Sequence, residues 1–99
     1  MDKNLIHLLQ KYFAGQPVEK AWLFGSFSRG EQTAHSDIDI LVKFDASQKV
    51  GLFKHASMID DLQRLLQRAV DLVSDTTIFP WVKSNVDNDK ILIYERKAP

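Results

Sequence analysis

A few polar side chains near the middle of the chain have the types and spacing to handle phosphate. Asp37 and Asp39 stand two positions apart at the head of the apolar run DIDILVKF, with Ser36 directly before them. Alternate residues of a strand share a side and lie about 6.6 Å apart along its axis. Both carboxylates can therefore aim into one small volume. Two Mg²⁺ ions held about 3.5–4 Å apart for phosphoryl transfer need such bridging and flanking oxygens. Asp71, early in VDLVS, supplies a third if its strand lies parallel to and beside that of Asp37 and Asp39. Asp75 lies beyond that level and reads as a turn residue. Each aspartate alone could be a cap or a solvated carboxylate. Crowded like charges, however, raise one another's pKa unless a cation compensates, so three of them opening strands at one sheet edge argue for metal.

Gly25 and Ser26 lie where the run VEKAWLF gives way to a polar stretch. Glycine lets an anion approach the backbone closely, and a helix N-terminus with a serine hydroxyl adds donors. Alone, Gly-Ser is a turn; its place before a carboxylate pair marks it as a phosphate contact. Arg29 has two roles open to it, touching phosphate or pairing with an acidic neighbour or carbonyl to hold the turn. Gly30 is expected where the helix packs closely on the sheet.

The elements that must position these residues follow from periodicity. Leu5, Ile6, Leu8, Leu9, Tyr12 and Phe13 recur at near-helical spacing, with Asp2 or Asn4 as N-cap and Gly15 and Pro17 as stop. VEKAWLFGS reads as a strand, Ser28 to Thr33 as a short helix, and DIDILVKF as the clearest strand of the chain. From Val50 to Arg68, the residues Leu52, Phe53, Ala56, Ile59, Leu62, Leu65, Leu66 and Ala69 trace an apolar helical face, with Asp60 and Asp61 able to pair with Arg64. AVDLVSD is a third strand, a helix follows behind Pro80, and ILIYE is an edge strand. The strand, helix, strand order implies a right-handed crossover with strands two and three parallel. The short link between strands one and two implies an antiparallel pair. The expected class is α/β (α+β), a mixed four-stranded sheet with helices packed mainly on one face.

Composition narrows the function. At 99 residues, a single domain spanning 1–99 is expected, with no room for a separate substrate domain. Lys plus Arg total 13 and Asp plus Glu total 13, which argues against a broad basic face for direct nucleic-acid binding. Absence of cysteine excludes a thiolate metal site, a disulfide and a catalytic thiol. With no signal-like or membrane-length apolar run, a cytoplasmic protein is expected. Other polar and aromatic residues draw structural expectations: His35 solvated, His7 and His55 on helix surfaces or the core edge, Lys43 and Lys83 solvated, Phe79 and Trp81 in the core, Tyr94 packed at the sheet edge.

The stretch GSFSRGEQTAHSDIDILV resembles the signature of the nucleotidyltransferase superfamily that includes DNA polymerase beta and kanamycin nucleotidyltransferase. The likeness lies in Gly-Ser, an Arg-Gly pair, then Ser-Asp-x-Asp entering a strand, and with Asp71 it runs from Trp22 to about Ser74. In its shortness the chain is similar to the minimal nucleotidyltransferases, antitoxin partners of HEPN-domain toxins. That resemblance implies a polymerase beta palm-like fold. It also implies that Asp37 and Asp39 coordinate two Mg²⁺ ions, that Asp71 binds the acceptor-side ion and acts as base, and that Gly25 and Ser26 hold the β- and γ-phosphates of ATP, with Arg29 and Ser36 beside them and Ser36 orienting the carboxylate turn. The implied reaction transfers AMP to a hydroxyl, a tyrosine of a HEPN ribonuclease, within a hetero-oligomer of the two proteins. Against it stands a non-catalytic binding module that neutralises the toxin by contact alone, which gains nothing from three crowded carboxylates. Transfer to a small molecule such as an aminoglycoside would need a further helical domain.

Overall fold

The computed structural model describes residues 3–78 and 80–97. The elements follow in the order α1 (Lys3–Ala14), β1 (Val18–Phe24), α2 (Ser26–Arg29), β2 (Ile38–Phe44), α3 (Leu52–Leu66), β3 (Val70–Ser74), α4 (Pro80–Asp89) and β4 (Ile91–Glu95). One mixed sheet has the order β3-β2-β1-β4. β1 pairs antiparallel with β2 and β4, and β2 pairs parallel with β3, as the lengths of the connections imply. β4 is the edge strand expected of ILIYE.

Alternation along the strands gives the sheet two different faces. Ala21, Leu23, Ile40, Val42 and Leu72 point to one side and are buried with Leu5, Leu9 and Phe13 of α1, and with Met58 and Leu62 of α3. Each of these side chains larger than Ala21 contributes about 1.5–3 kcal/mol by leaving water. Tyr94 packs its ring on Phe13, with centroids 6.0 Å apart, and Tyr12 ties α1 to α3 by donating to Asp61 at 2.9 Å. Trp22, Leu41 and Val73 lie in one cross-strand row on the opposite side. There α4 brings Val86 beside Trp22 and Leu41, and Lys90 stands 4.9 Å from the centre of the Trp22 ring. Helices thus lie mainly on one face, and α4 supplies cover on the other.

Two helices differ from expectation. The short helix begins at Ser26 rather than Ser28 and ends at Arg29 rather than Thr33. Gly25 breaks the strand so sharply that the helix starts at once, and Gly30, left-handed at φ 71° and ψ 20°, closes it through its N–H to Ser26 O. A Cβ at Gly30 would meet nothing within 4 Å, so this glycine serves the cap and not close packing. In α3 the buried stripe is Met58 and Leu62, flanked by His55, Ile59 and Leu66. Leu52 and Phe53 are 81% and 91% exposed, and Ala56 and Leu65 also face solvent. The expected face therefore combines apolar residues from two sides of the helix and lacks Met58. Asn4 lies inside α1; Asp2, Phe79 and the Trp81 side chain lie outside the described residues. None of the described helices is long and apolar enough to cross a membrane.

Candidate active site

Register alone assembles the acidic row. Asp39 pairs with Phe24 of β1 on one side and with Asp71 of β3 on the other. Partners across a ladder share a face, so Asp39 and Asp71 project together from strands about 4.8 Å apart. They project on the side of Trp22, Leu41 and Val73, away from the α1 and α3 core. Asp37 stands one residue before β2 and two before Asp39. Its charge and that of Asp71 both act on Asp39: burial first, then Asp71, then Asp37 push the Asp39 carboxyl above its ordinary range, and Arg29 opposes them in part.

Gly25 is bound to this row by two requirements. Its backbone, at φ 71° and ψ −151°, lies in a region that only glycine occupies without strain. A Cβ there would also run into the Asp39 carboxylate, which leans against the glycine. Strand end and carboxylate thus occupy the same small space. Ser26 follows as the first helical residue. Below it, Ser28 returns both its N–H and its hydroxyl to Gly25 O, at 3.1 and 2.7 Å, and Glu31 N–H reaches Ser26 O at 2.9 Å. These bonds hold the Gly25 and Ser26 backbone in place without using their N–H groups.

The loop before Asp37 is braced from both ends. Ser36 Oγ accepts the Thr33 N–H at 2.7 Å, closing the turn that leads to Asp37. Arg68 donates to the carbonyls of Thr33 and Ser36 at 3.0 Å each and stacks 5.2 Å over Phe27. Nothing in the sequence marks Arg68 for this, since its partners are more than 30 positions away. Ile38 N–H donates to Ala69 O at 2.9 Å, which locks β2 to the start of β3. Arg29 is held by Glu31 at 3.0 Å and Asp89 at 2.5 Å, tying α2 to the end of α4. The structure therefore brings Gly25, Ser26, Asp37, Asp39 and Asp71 to one end of the sheet, with Ser36 beneath the loop and Arg29 in an ion-paired network beside it.

The remaining candidates lie elsewhere. His7 and His35 are exposed, while His55 shares a hydrogen bond with Leu72 O at 2.7 Å and packs on Phe44. Lys43 pairs with Glu19 at 3.3 Å, and Asp75 occupies a turn where its N–H meets Val42 O. Among the described residues, no three acidic, histidine or cysteine side chains close into a ready-made metal cage. Mg²⁺ seldom uses one, because it retains waters and takes its other oxygens from substrate phosphates. A row of hard carboxylate oxygens in which one is crowded by two like charges fits that ion.

A family model described as polymerase beta, nucleotidyltransferase, matches residues 3–99. The chain belongs to this nucleotidyltransferase family. It is 39% identical over 77 residues to a Methanocaldococcus jannaschii protein provisionally named a protein adenylyltransferase, covering 77% of each chain. To the protein adenylyltransferase MntA of Thermococcus cleftensis it is 32% identical over 76 residues, 77% of this chain and 75% of that one. Among solved structures, a toxin-antitoxin crystallised with AMP-PNP superposes with a TM-score of 0.75 at 24% identity, over 98% of this chain and 76% of that one. The tri-AMPylated HEPN toxin of Shewanella oneidensis with its MNT antitoxin gives a TM-score of 0.73 at 19% identity, over 97% and 74%. At such identities the two structures speak for the fold, which the family's nucleotidyltransferases share.

Proposed function

We propose that this nucleotidyltransferase transfers AMP from ATP to a hydroxyl of a HEPN-domain toxin and so acts as its antitoxin. The observation that carries the reading is the row of Gly25, Asp39 and Asp71, in which a glycine in a conformation closed to other residues and two facing carboxylates are built against one another. The adenylyltransferase relatives support AMP as the group transferred, and the toxin-antitoxin structures support the partner.

Each residue has a role in that reaction. Gly25 and Ser26 offer N–H groups to the β- and γ-phosphates. Asp37 and Asp39 would hold Mg²⁺, and Asp71 would share the ion on the acceptor side. Bound there, Mg²⁺ neutralises phosphate charge and makes the acceptor hydroxyl more acidic. Asp71 takes the proton of that hydroxyl, its oxygen bonds to the α-phosphorus, and the bond to pyrophosphate breaks on the opposite side. Ser36 and Arg68 keep the loop ahead of Asp37 in shape, and Arg29 keeps α2 under the phosphates.

Incubation with Mg²⁺, α-labelled ATP and the product of the adjoining reading frame tests this, beside a chain carrying Asp37→Asn and Asp39→Asn. Label should reach the partner only with the unaltered chain, and Mg²⁺ should raise its Tm but not that of the double variant. A partner bound and silenced equally by both chains, without label, would promote the non-catalytic binding module instead.

A further inference from the structure

At the end of the sheet opposite the acidic row lies a basic and apolar pole that none of the roles above uses. β1 and β2 run antiparallel, so the turn before β1 and the loop after β2 meet there, with Asp45 N–H donating to Pro17 O at 2.9 Å. A cavity of about 610 Å³ is bounded by Gln16, Gln48, Lys49, Lys54 and Arg96, and no described carboxylate lines it. Arg96 is engaged by Asp45 and the Gln16 carbonyl. Lys49 and Lys54 meet no carboxylate among the described residues. Lys54 also stands in the first turn of α3, which holds no acidic residue and whose N-cap, Gly51, has no side chain to cap it. The positive end of a helix favours an anion, so this lysine adds like charge where the fold has nothing to answer it.

Leu52 and Phe53 directly precede Lys54 and are 81% and 91% exposed. Periodicity assigns both to the apolar face of α3, yet the core closes on Met58 and Leu62 without them. Adjacent large apolar side chains left in water mark an interaction surface, and the unanswered lysines beside them set the charge of what covers it. We propose that this pole docks a segment of the HEPN-domain partner in which carboxylates flank an apolar side chain, an inference that rests on the toxin reading above. The apolar side chain lies against Leu52 and Phe53, and the carboxylates reach Lys49 and Lys54 at the cavity. A concave floor admits the side chains of a protein segment, whereas a lipid surface meets only its rim. Lys49 and Lys54 alone fall short of the several phosphate contacts that carry nucleic-acid binding. Six residues of β2 at about 3.3 Å each put the Asp45 end about 20 Å from Asp39. The pole therefore contributes the same binding before and during transfer, and interactions of that kind change KM and not kcat.

The test compares the unaltered chain with Lys49→Glu, Lys54→Glu and with Leu52→Ser, Phe53→Ser, two double variants at exposed positions that leave the core closed. It measures the Kd for the adjoining frame's product at low and high salt, and KM and kcat for AMP transfer to that product. Both variants should weaken the complex by about tenfold or more and raise KM alike, with kcat held within about twofold. Salt dependence should fall in the lysine variant only. An unchanged Kd in both variants, or a kcat that falls while KM holds, would overturn the docking assignment and leave adenylyl transfer standing. Self-association of the unaltered chain, or its binding to anionic vesicles or single-stranded RNA, lost in the variants while the partner's Kd holds, would also overturn it. No complex between the unaltered chain and that product would sink the toxin reading and the docking assignment with it.

Discussion

Asp39 and Asp45 belong to opposite ends of β2, and the chain treats their charges in opposite ways. Asp45 accepts the Ser47 N–H at 2.9 Å, the Ser47 hydroxyl at 2.7 Å and an Arg96 N–H at 2.6 Å. Those bonds, those from Ser47 foremost, draw its pKa down to about 2. Asp39 is instead half-buried against a glycine and crowded by Asp71 and Asp37, which drives its pKa upward. A carboxylate answered by the protein holds the fold together; one left facing other carboxylates has its charge unanswered within the fold, as the proposed metal role requires. Cavity size would point to the Asp45 end. A cavity of about 400 Å³, bounded by Lys43, Asp45, His55 and Thr76, and one of about 610 Å³, bounded by Gln16, Lys49 and Arg96, lie there, away from the acidic row.

The sharpest way to break this comparison is to neutralise each acid in turn. Asp39→Asn should lower transfer by at least about a hundredfold, the scale of losing one oriented electrostatic group. It should leave the Tm equal or higher, because like-charge repulsion is relieved. Asp45→Asn should do the reverse, keeping transfer within about twofold and lowering the Tm. Equal losses of transfer in both variants, in a labelling assay run beside thermal melts, would erase the distinction.

Gly25→Ala strikes the one residue on which strand geometry and carboxylate both depend. The backbone strain alone should cost about 1–3 kcal/mol, read by urea unfolding. Transfer should fall further than stability accounts for, since the new methyl displaces Asp39. Retained transfer would show that Asp39 has another productive position.

Arg68→Ala removes the anchor of the 33–36 loop without touching any carboxylate. Outer supports of this kind are worth about 10–100-fold in activity or metal affinity. The expectation is a drop of that size together with weaker Mg²⁺ binding, and rescue only in part by Lys, which lacks the planar fork. Full activity in Arg68→Lys would reduce its role to a charge.

The smallest effect is a pair of opposed pH slopes. Asp45 has a folded pKa below its unfolded value, so its contribution is complete above about pH 4 and is lost as pH falls toward its folded value of about 2. Asp39 has a raised folded pKa, so its ionisation weakens the fold as pH rises from the unfolded value through the folded one. Urea midpoints at pH 3 and pH 5 should therefore differ less in Asp45→Asn and more in Asp39→Asn than in the unaltered chain. Parallel profiles would overturn the electrostatic contrast.

Much of this was legible in the residues themselves. Periodicity placed α1, the strands and the bulk of α3, because burial on one face leaves a repeat of 3.6 or 2 in any sequence. Connection lengths settled which strands run parallel, since a tight link can only reverse direction while a helix-long one can return. Asp37, Asp39 and Asp71 followed from alternation and that topology. Other features depended on positions distant in the chain. Arg68 reaches carbonyls 32 to 35 positions back, Asp89 holds Arg29 from 60 away, and Asp39 settles against Gly25. Such contacts leave no local pattern, because they select for one side chain of the right reach and not for a repeat. The amino-acid order determined which groups could meet at the sheet's end. Only the folded sheet decided which carboxylate would be answered by the protein and which left crowded by other carboxylates.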